Sequence, residues 1–90
     1  MPESMVTMYT TGWCPYCARA RALLQTKGIS WTEVDLESEP ARRAEMVERS
    51  GGRRTVPQIF INDHHVGGAD DLSALEAEGR LDALLGQSAG

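Results

Sequence analysis

Apolar positions alternate with polar ones in short stretches of the chain and recur at helical spacing between them, the pattern of strands punctuated by helices. Met5 to Tyr9 is an apolar run rich in strand formers and closed by Thr10-Thr11-Gly12, which predicts a first, central strand. Pro15 suits the first turn of a helix, where its missing N–H is no loss, and Ala18, Ala20, Ala22, Leu23 and Leu24 carry that helix to a stop at Lys27-Gly28. Cys17, Ala20 and Leu24 share one helical face, which should pack on the sheet. Cys14 precedes the helix and should hold the more exposed sulfur.

Thr32, Val34 and Leu36 alternate with Glu33 and Asp35, predicting a second strand parallel to the first through a right-handed crossover. Pro40 opens a second helix that turns Ala44 and Val47 inward and ends at Gly51-Gly52. Gln58 to Ile61, bounded by Pro57 and by Asn62-Asp63, is too short for a helix; the Asn-Asp turn predicts a hairpin into His65-Val66. After Gly67-Gly68, Asp70 or its neighbour caps a third helix with Leu72 and Leu75 as its apolar positions. Gly79 interrupts it, and Leu81, Leu84 and Leu85 make a short final amphipathic segment. The order is βαβαββα plus a short C-terminal helix: an α/β fold with a four-stranded mixed sheet and helices on both faces. Met5, Met8 and Met46 are expected as core filler.

Ninety residues allow one domain, 1–90, with a core over about 5–85 and a frayed tail at 86–90. A hydrophobic share of 41% beside 24% charged residues is ordinary for a globular chain. The net charge of −4 argues against a general nucleic-acid binder, although Arg42, Arg43, Arg53 and Arg54 could form a local basic rim. Residues 1 to 13 lack a basic start followed by an apolar run, and no apolar stretch approaches the ~20 residues that cross a bilayer. A cytoplasmic protein with no membrane partner is the expectation.

The two cysteines, in Cys14-Pro15-Tyr16-Cys17, could close a small disulfide, supply half a zinc site, or be a chance pair. In a reducing compartment a structural staple is disfavoured, which leaves redox chemistry or metal binding. His64 and His65 are the available nitrogen ligands. Neighbours on a strand point to opposite faces, so at most one could join the cysteines, and no metal is expected.

Three separated motifs, Cys14-Pro15-Tyr16-Cys17 after the first strand, Thr55-Val56-Pro57 before the third and Gly67-Gly68-Ala69-Asp70-Asp71 after the hairpin, together resemble the dithiol glutaredoxins of the small bacterial type. The resemblance runs from Met5 to about Leu85. It implies a thioredoxin-like fold and a glutathione-dependent thiol-disulfide oxidoreductase that reduces protein-glutathione mixed disulfides and protein disulfides. Glutathione would be a co-substrate, without metal. Glutathionylated or disulfide-containing proteins and reductases as electron acceptors would be partners of a monomer.

The resemblance makes Cys14 and Cys17 a redox-active disulfide pair, with Cys14 as nucleophile and Cys17 as resolving thiol. Physical chemistry agrees with that asymmetry, because the thiolate is the nucleophile and a free thiol is only about 3% ionised at neutral pH. A helix N-terminus favours an anion by up to about 2 kcal/mol, less than the roughly 4 to 5 kcal/mol that near-complete ionisation asks. Direct donors must add the rest. Pro15 has no N–H, so the Tyr16 and Cys17 N–H groups and the Cys17 thiol are the candidates.

Thr55-Val56-Pro57 is similar to the family's cis-proline loop, in which the Val56 N–H and C=O would pair with the cysteine backbone of glutathione; an ordinary turn is the plain alternative. Gly67-Gly68 would let the chain approach the ligand. Gly68, Ala69 and Asp70 would hold its carboxylate at a helix start, with Asp70 also capping that helix, and Asp71 would receive its γ-glutamyl amine. Capping alone is the simpler role for the acidic pair. Tyr16 would pack on the bound ligand.

Two departures stand out. The family's lysine three positions before the first cysteine is Thr11 here, and Lys27 is the only lysine in the chain. Arg43, at a basic family position on the second helix, could carry the glycyl carboxylate in its place, with Arg53 or Arg54 assisting; solvated surface charge is the alternative. Thr10-Thr11-Gly12-Trp13 is also similar to the mycoredoxins, which serve mycothiol, and Trp13 is expected beside Cys14 as a docking surface or lid. A third possibility is a dimer holding a [2Fe–2S] cluster through Cys14 and glutathione, disfavoured by the stiffness of Pro15.

Overall fold

A computed structural model describes residues 5–12 and 14–86. The readings of Trp13 and of the tail beyond Gly86 lie outside these residues. Four strands and four helices follow in the order β1 (Val6–Thr10), α1 (Pro15–Thr26), β2 (Thr32–Asp35), α2 (Arg43–Arg49), β3 (Gln58–Ile61), β4 (His64–Gly67), α3 (Ala69–Ala77) and α4 (Leu81–Leu84). The sheet order is β2-β1-β3-β4, with β1 parallel to β2 and antiparallel to β3, and β3 antiparallel to β4. The predicted mixed sheet is thus observed, with β1 at its centre.

Both faces are covered, which is why β3 is buried at every position. The period of two sends Val6 and Met8 of β1 and Ile59 and Ile61 of β3 to one side, where they meet Ala20 and Leu24 of α1 and Leu72 of α3. Tyr9 and Phe60 point the other way and pack with Val34, Leu36 and Met46. Burying a side chain the size of Leu24 or Leu72 contributes about 1.5–3 kcal/mol, so the α1/α3 side is the deeper apolar core. On the α2 side the buried Tyr9 hydroxyl donates to Glu45, while Arg49 donates to the same hydroxyl at 2.7 Å and lies 4.2 Å from the centre of the Phe60 ring. Burial raises the Tyr9 pKa, and Arg42 first, then Tyr9, lowers that of Glu45.

Several sequence expectations shift. The first strand begins at Val6, and Met5 is not core filler: it is 74% exposed, its backbone tied instead to Asn62. The second helix is split into a 3₁₀ turn over Pro40–Arg42 and α2, and its buried side chain is Met46. Ala44 is exposed and Val47 only partly covered. Asn62 and Asp63 both take positive φ, 50° and 67°, as a tight two-residue hairpin turn requires.

Candidate active site

The start of α1 is built around a thiol. Cys14 is its N-cap in extended conformation, Pro15 follows in the first turn, and the Cys17 N–H points back at Cys14 Sγ from 3.4 Å. Of the two backbone donors expected, only that of Cys17 is in hydrogen-bonding geometry. The Cys14 thiol in turn faces the Val56 carbonyl oxygen at 3.9 Å. Cys14 is partly exposed and Cys17 fully buried, as the helical spacing foretold. Burial, assisted by the neighbouring Cys14, pushes the Cys17 thiol up to about 12, so it remains protonated at neutral pH. Thr11 meets this buried sulfur through its backbone, which pulls the other way.

Beside Cys14 lies a cleft of about 330 Å³ lined by Tyr16, Arg53, Thr55, Val56, Pro57, Gly68, Ala69, Asp70 and Asp71. Eight of these nine are positions singled out from the three motifs; Arg53 completes the set. The Val56-Pro57 bond is cis, as expected for this loop. The lining combines backbone groups with one guanidinium and two carboxylates.

The helix cap expected of Asp70 falls to its neighbour. Asp71, not Asp70, caps α3: its Oδ2 accepts the Gly68 N–H at 2.9 Å and lies 3.4 Å from Arg53 Nη1. Asp70 is exposed, with a loose contact to Arg19 at 3.9 Å, and the Arg19 guanidinium sits 5.9 Å from the Tyr16 ring centre, so these three side chains bridge the starts of α1 and α3. Gly67 leaves room for the Asp71 carboxylate. At φ 119°, a Cβ here would stand 2.3 Å from Asp71 Oδ2 and 3.1 Å from Arg53 Nη1.

Arg43 does not line the cleft. Its Nη1 donates to the Arg54 carbonyl at 3.0 Å, and both arginines border a separate cavity with Ala44, Val47 and Glu48. Thr11 is likewise not among the lining residues. Arg53 takes the basic position because the loop after α2 is pinned by Ser50, whose hydroxyl accepts the Arg53 N–H at 3.1 Å. The sequence favours Arg43, with Arg53 or Arg54 assisting, and the loop path instead brings Arg53 to the cleft. Gln58 and His65, which the motifs left without a role in the site, stand directly behind Thr55.

The site thus joins a partly exposed sulfur, a second sulfur held as a thiol, a peptide edge, and a guanidinium beside carboxylates. These residues fit a small thiol-bearing peptide with both ammonium and carboxylate groups. Comparisons agree. The family model described as glutaredoxin matches residues 6–66. A glutaredoxin of Pseudomonas aeruginosa is 56% identical over 80 residues, covering 89% of this chain and 94% of that one. Glutaredoxin 3 of Escherichia coli is also 56% identical over 80 residues, covering 89% and 95%. Among solved structures, the buckwheat glutaredoxin-glutathione complex superposes with a TM-score of 0.83 at 28% identity, over 90% of this chain and 76% of that one.

Proposed function

The chain belongs to the glutaredoxin family of glutathione-dependent thiol-disulfide oxidoreductases, and on that premise we propose that it reduces protein-glutathione mixed disulfides through Cys14 and protein disulfides through the Cys14–Cys17 pair. The observation that carries this reading is the asymmetry of the two sulfurs beside a cleft bearing Arg53 and Asp71.

Cys14 attacks the glutathione sulfur of the mixed disulfide. A Cys14–glutathione disulfide forms, the protein–glutathione bond breaks, and the protein leaves as a thiolate that takes a proton from water. A second glutathione thiolate then attacks the sulfur of the bound glutathione, giving oxidised glutathione and free Cys14. On a protein disulfide, Cys14 attacks one sulfur, which breaks the protein S–S bond, forms a mixed disulfide and frees the other sulfur as a thiolate that takes a proton from water; Cys17, once deprotonated, then attacks Cys14 Sγ. That step closes the Cys14–Cys17 bond and expels the second protein thiol. Two glutathiones later reduce the pair.

In the cleft, the Val56 peptide edge suits the cysteine backbone of glutathione, Asp71 suits its ammonium, and Arg53 suits a carboxylate. Action as a cytoplasmic monomer that also supplies electrons to reductases is part of the same proposal. The test is steady-state turnover of a glutathionylated peptide with glutathione and its reductase, beside the same peptide carrying mycothiol with a mycothiol-recycling system. Preferential turnover of the glutathionylated form is expected; preference for mycothiol would overturn the assignment of the cleft.

A further inference from the structure

Gln58 is fully buried at the start of β3, on the α2 side of the sheet. Its Nε2 donates to both the carbonyl oxygen and the hydroxyl oxygen of Thr55, each at 3.1 Å. Both amide hydrogens are thereby engaged, and Oε1 is left to face His65 Nε2 at 2.7 Å. Rotating the amide by half a turn would set oxygen against the Thr55 carbonyl. The amide orientation is therefore fixed, and His65 must carry a proton on Nε2. His65 is itself held across the hairpin, where it pairs with Phe60 and lies against its ring, centroids 5.0 Å apart.

The consequence reaches the cleft through one peptide group. The Thr55 carbonyl and the Val56 N–H belong to the same trans peptide and point in opposite directions. Drawing the carbonyl down onto buried Gln58 turns the Val56 N–H outward, toward the cleft that Thr55 and Val56 line. We propose that His65, acting through Gln58, is a positioning residue that orients the Val56 peptide group for the backbone of the bound thiol peptide. This rests on the reading of the cleft as a glutathione site. Burial first, then Arg53, lowers the His65 pKa, while Asp71 opposes and His64 adds to the effect; the neutral ring keeps its Nε2–H on Gln58.

Two variants separate positioning from bulk packing. His65→Phe keeps a ring on Phe60 and removes the donor, whereas His65→Gln supplies an N–H again. For the glutathionylated peptide, His65→Phe should raise KM about tenfold while kcat stays within about twofold and the denaturation midpoint is retained. His65→Gln should return KM most of the way to wild type. An unchanged KM in His65→Phe, or a loss of activity that merely follows a loss of folded protein, overturns the relay. The Val56 amide resonance, recorded without substrate, gives an independent readout: it should move in His65→Phe and return in His65→Gln. If wild type fails to turn over the peptide but the resonance behaves in this way, the glutathione reading falls and the positioning relay stands.

Discussion

The two helix starts that flank the cleft use the same elementary device, a turn of unfilled backbone N–H groups, for opposite purposes. At α1 the cap is a sulfur, and no acidic residue occupies the first turn. At α3 the cap is the Asp71 carboxylate, with Asp70 beside it. A negative charge near Cys14 would oppose the thiolate on which attack depends, so the reactive start is kept free of carboxylates. A negative charge at α3 stabilises its helix and, in the function proposed above, presents an anion to a ligand ammonium. The contrast teaches how one device serves two ends of a cleft, one free of carboxylates beside a sulfur and one carrying them, which the proposed function reads as a reactive end and a recognition end.

Removing the sulfur should break the contrast most completely. Cys14→Ser should lower turnover of a glutathionylated peptide by about a thousandfold or more, measured in the coupled glutathione assay, since a nucleophile has no substitute in this site. Next comes Cys17→Ser, which should abolish reduction of a protein disulfide while preserving reduction of the glutathionylated peptide; loss of both would end the division of labour. The same pair predicts a pH dependence. Cys17 is held up to about 12 by burial, and only its thiolate attacks. Release of glutathione from preformed Cys14–glutathione protein, followed by mass spectrometry without added thiol, should therefore accelerate about tenfold per unit as pH rises from roughly 6 to 9. In Cys17→Ser this internal release should be absent.

At the recognition end the effects are smaller. Asp71→Ala should raise KM for the glutathionylated peptide about tenfold through loss of a charged hydrogen bond. It should also lower unfolding free energy in denaturant titration by about 1 kcal/mol through loss of the Gly68 cap. A stability loss with unchanged KM would return Asp71 to a structural role. Asp70→Ala should change KM by no more than about threefold, because its contact with Arg19 is exposed and loose. A larger effect on KM at Asp70 than at Asp71 would move the proposed ammonium contact from Asp71 to Asp70.

Local signals in the chain carried far because they were mutually consistent. Pro57 and Asn62-Asp63 bounded β3 at its observed ends, Pro15 and Lys27-Gly28 located α1, and the helical spacing of Cys17, Ala20 and Leu24 told which sulfur is buried. The same signals failed where neighbours compete. Ala44 looked inward but is exposed, and the packing of α2 against Tyr9 and Phe60 buries Met46, with Val47 packed at the margin of that cluster. Met5 looked like strand core, yet β1 starts one residue later and leaves Met5 exposed beside the hairpin turn.

What the sequence determined by itself is what depends on neighbours a few residues away: the helix and strand order, the turn at Asn62-Asp63, and the asymmetry of Cys14 and Cys17. What only the tertiary structure decided is which of several similar side chains reaches the cleft. Arg53 enters it while Arg43 turns to Arg54, Asp71 takes the cap from Asp70, and Gln58 joins Thr55 to His65. Those choices turn on a loop path fixed by Ser50 and on the pairing of β3 with β4. Long side chains of equal chemistry are sorted by where the backbone places their roots, and that placement is a property of the packed chain.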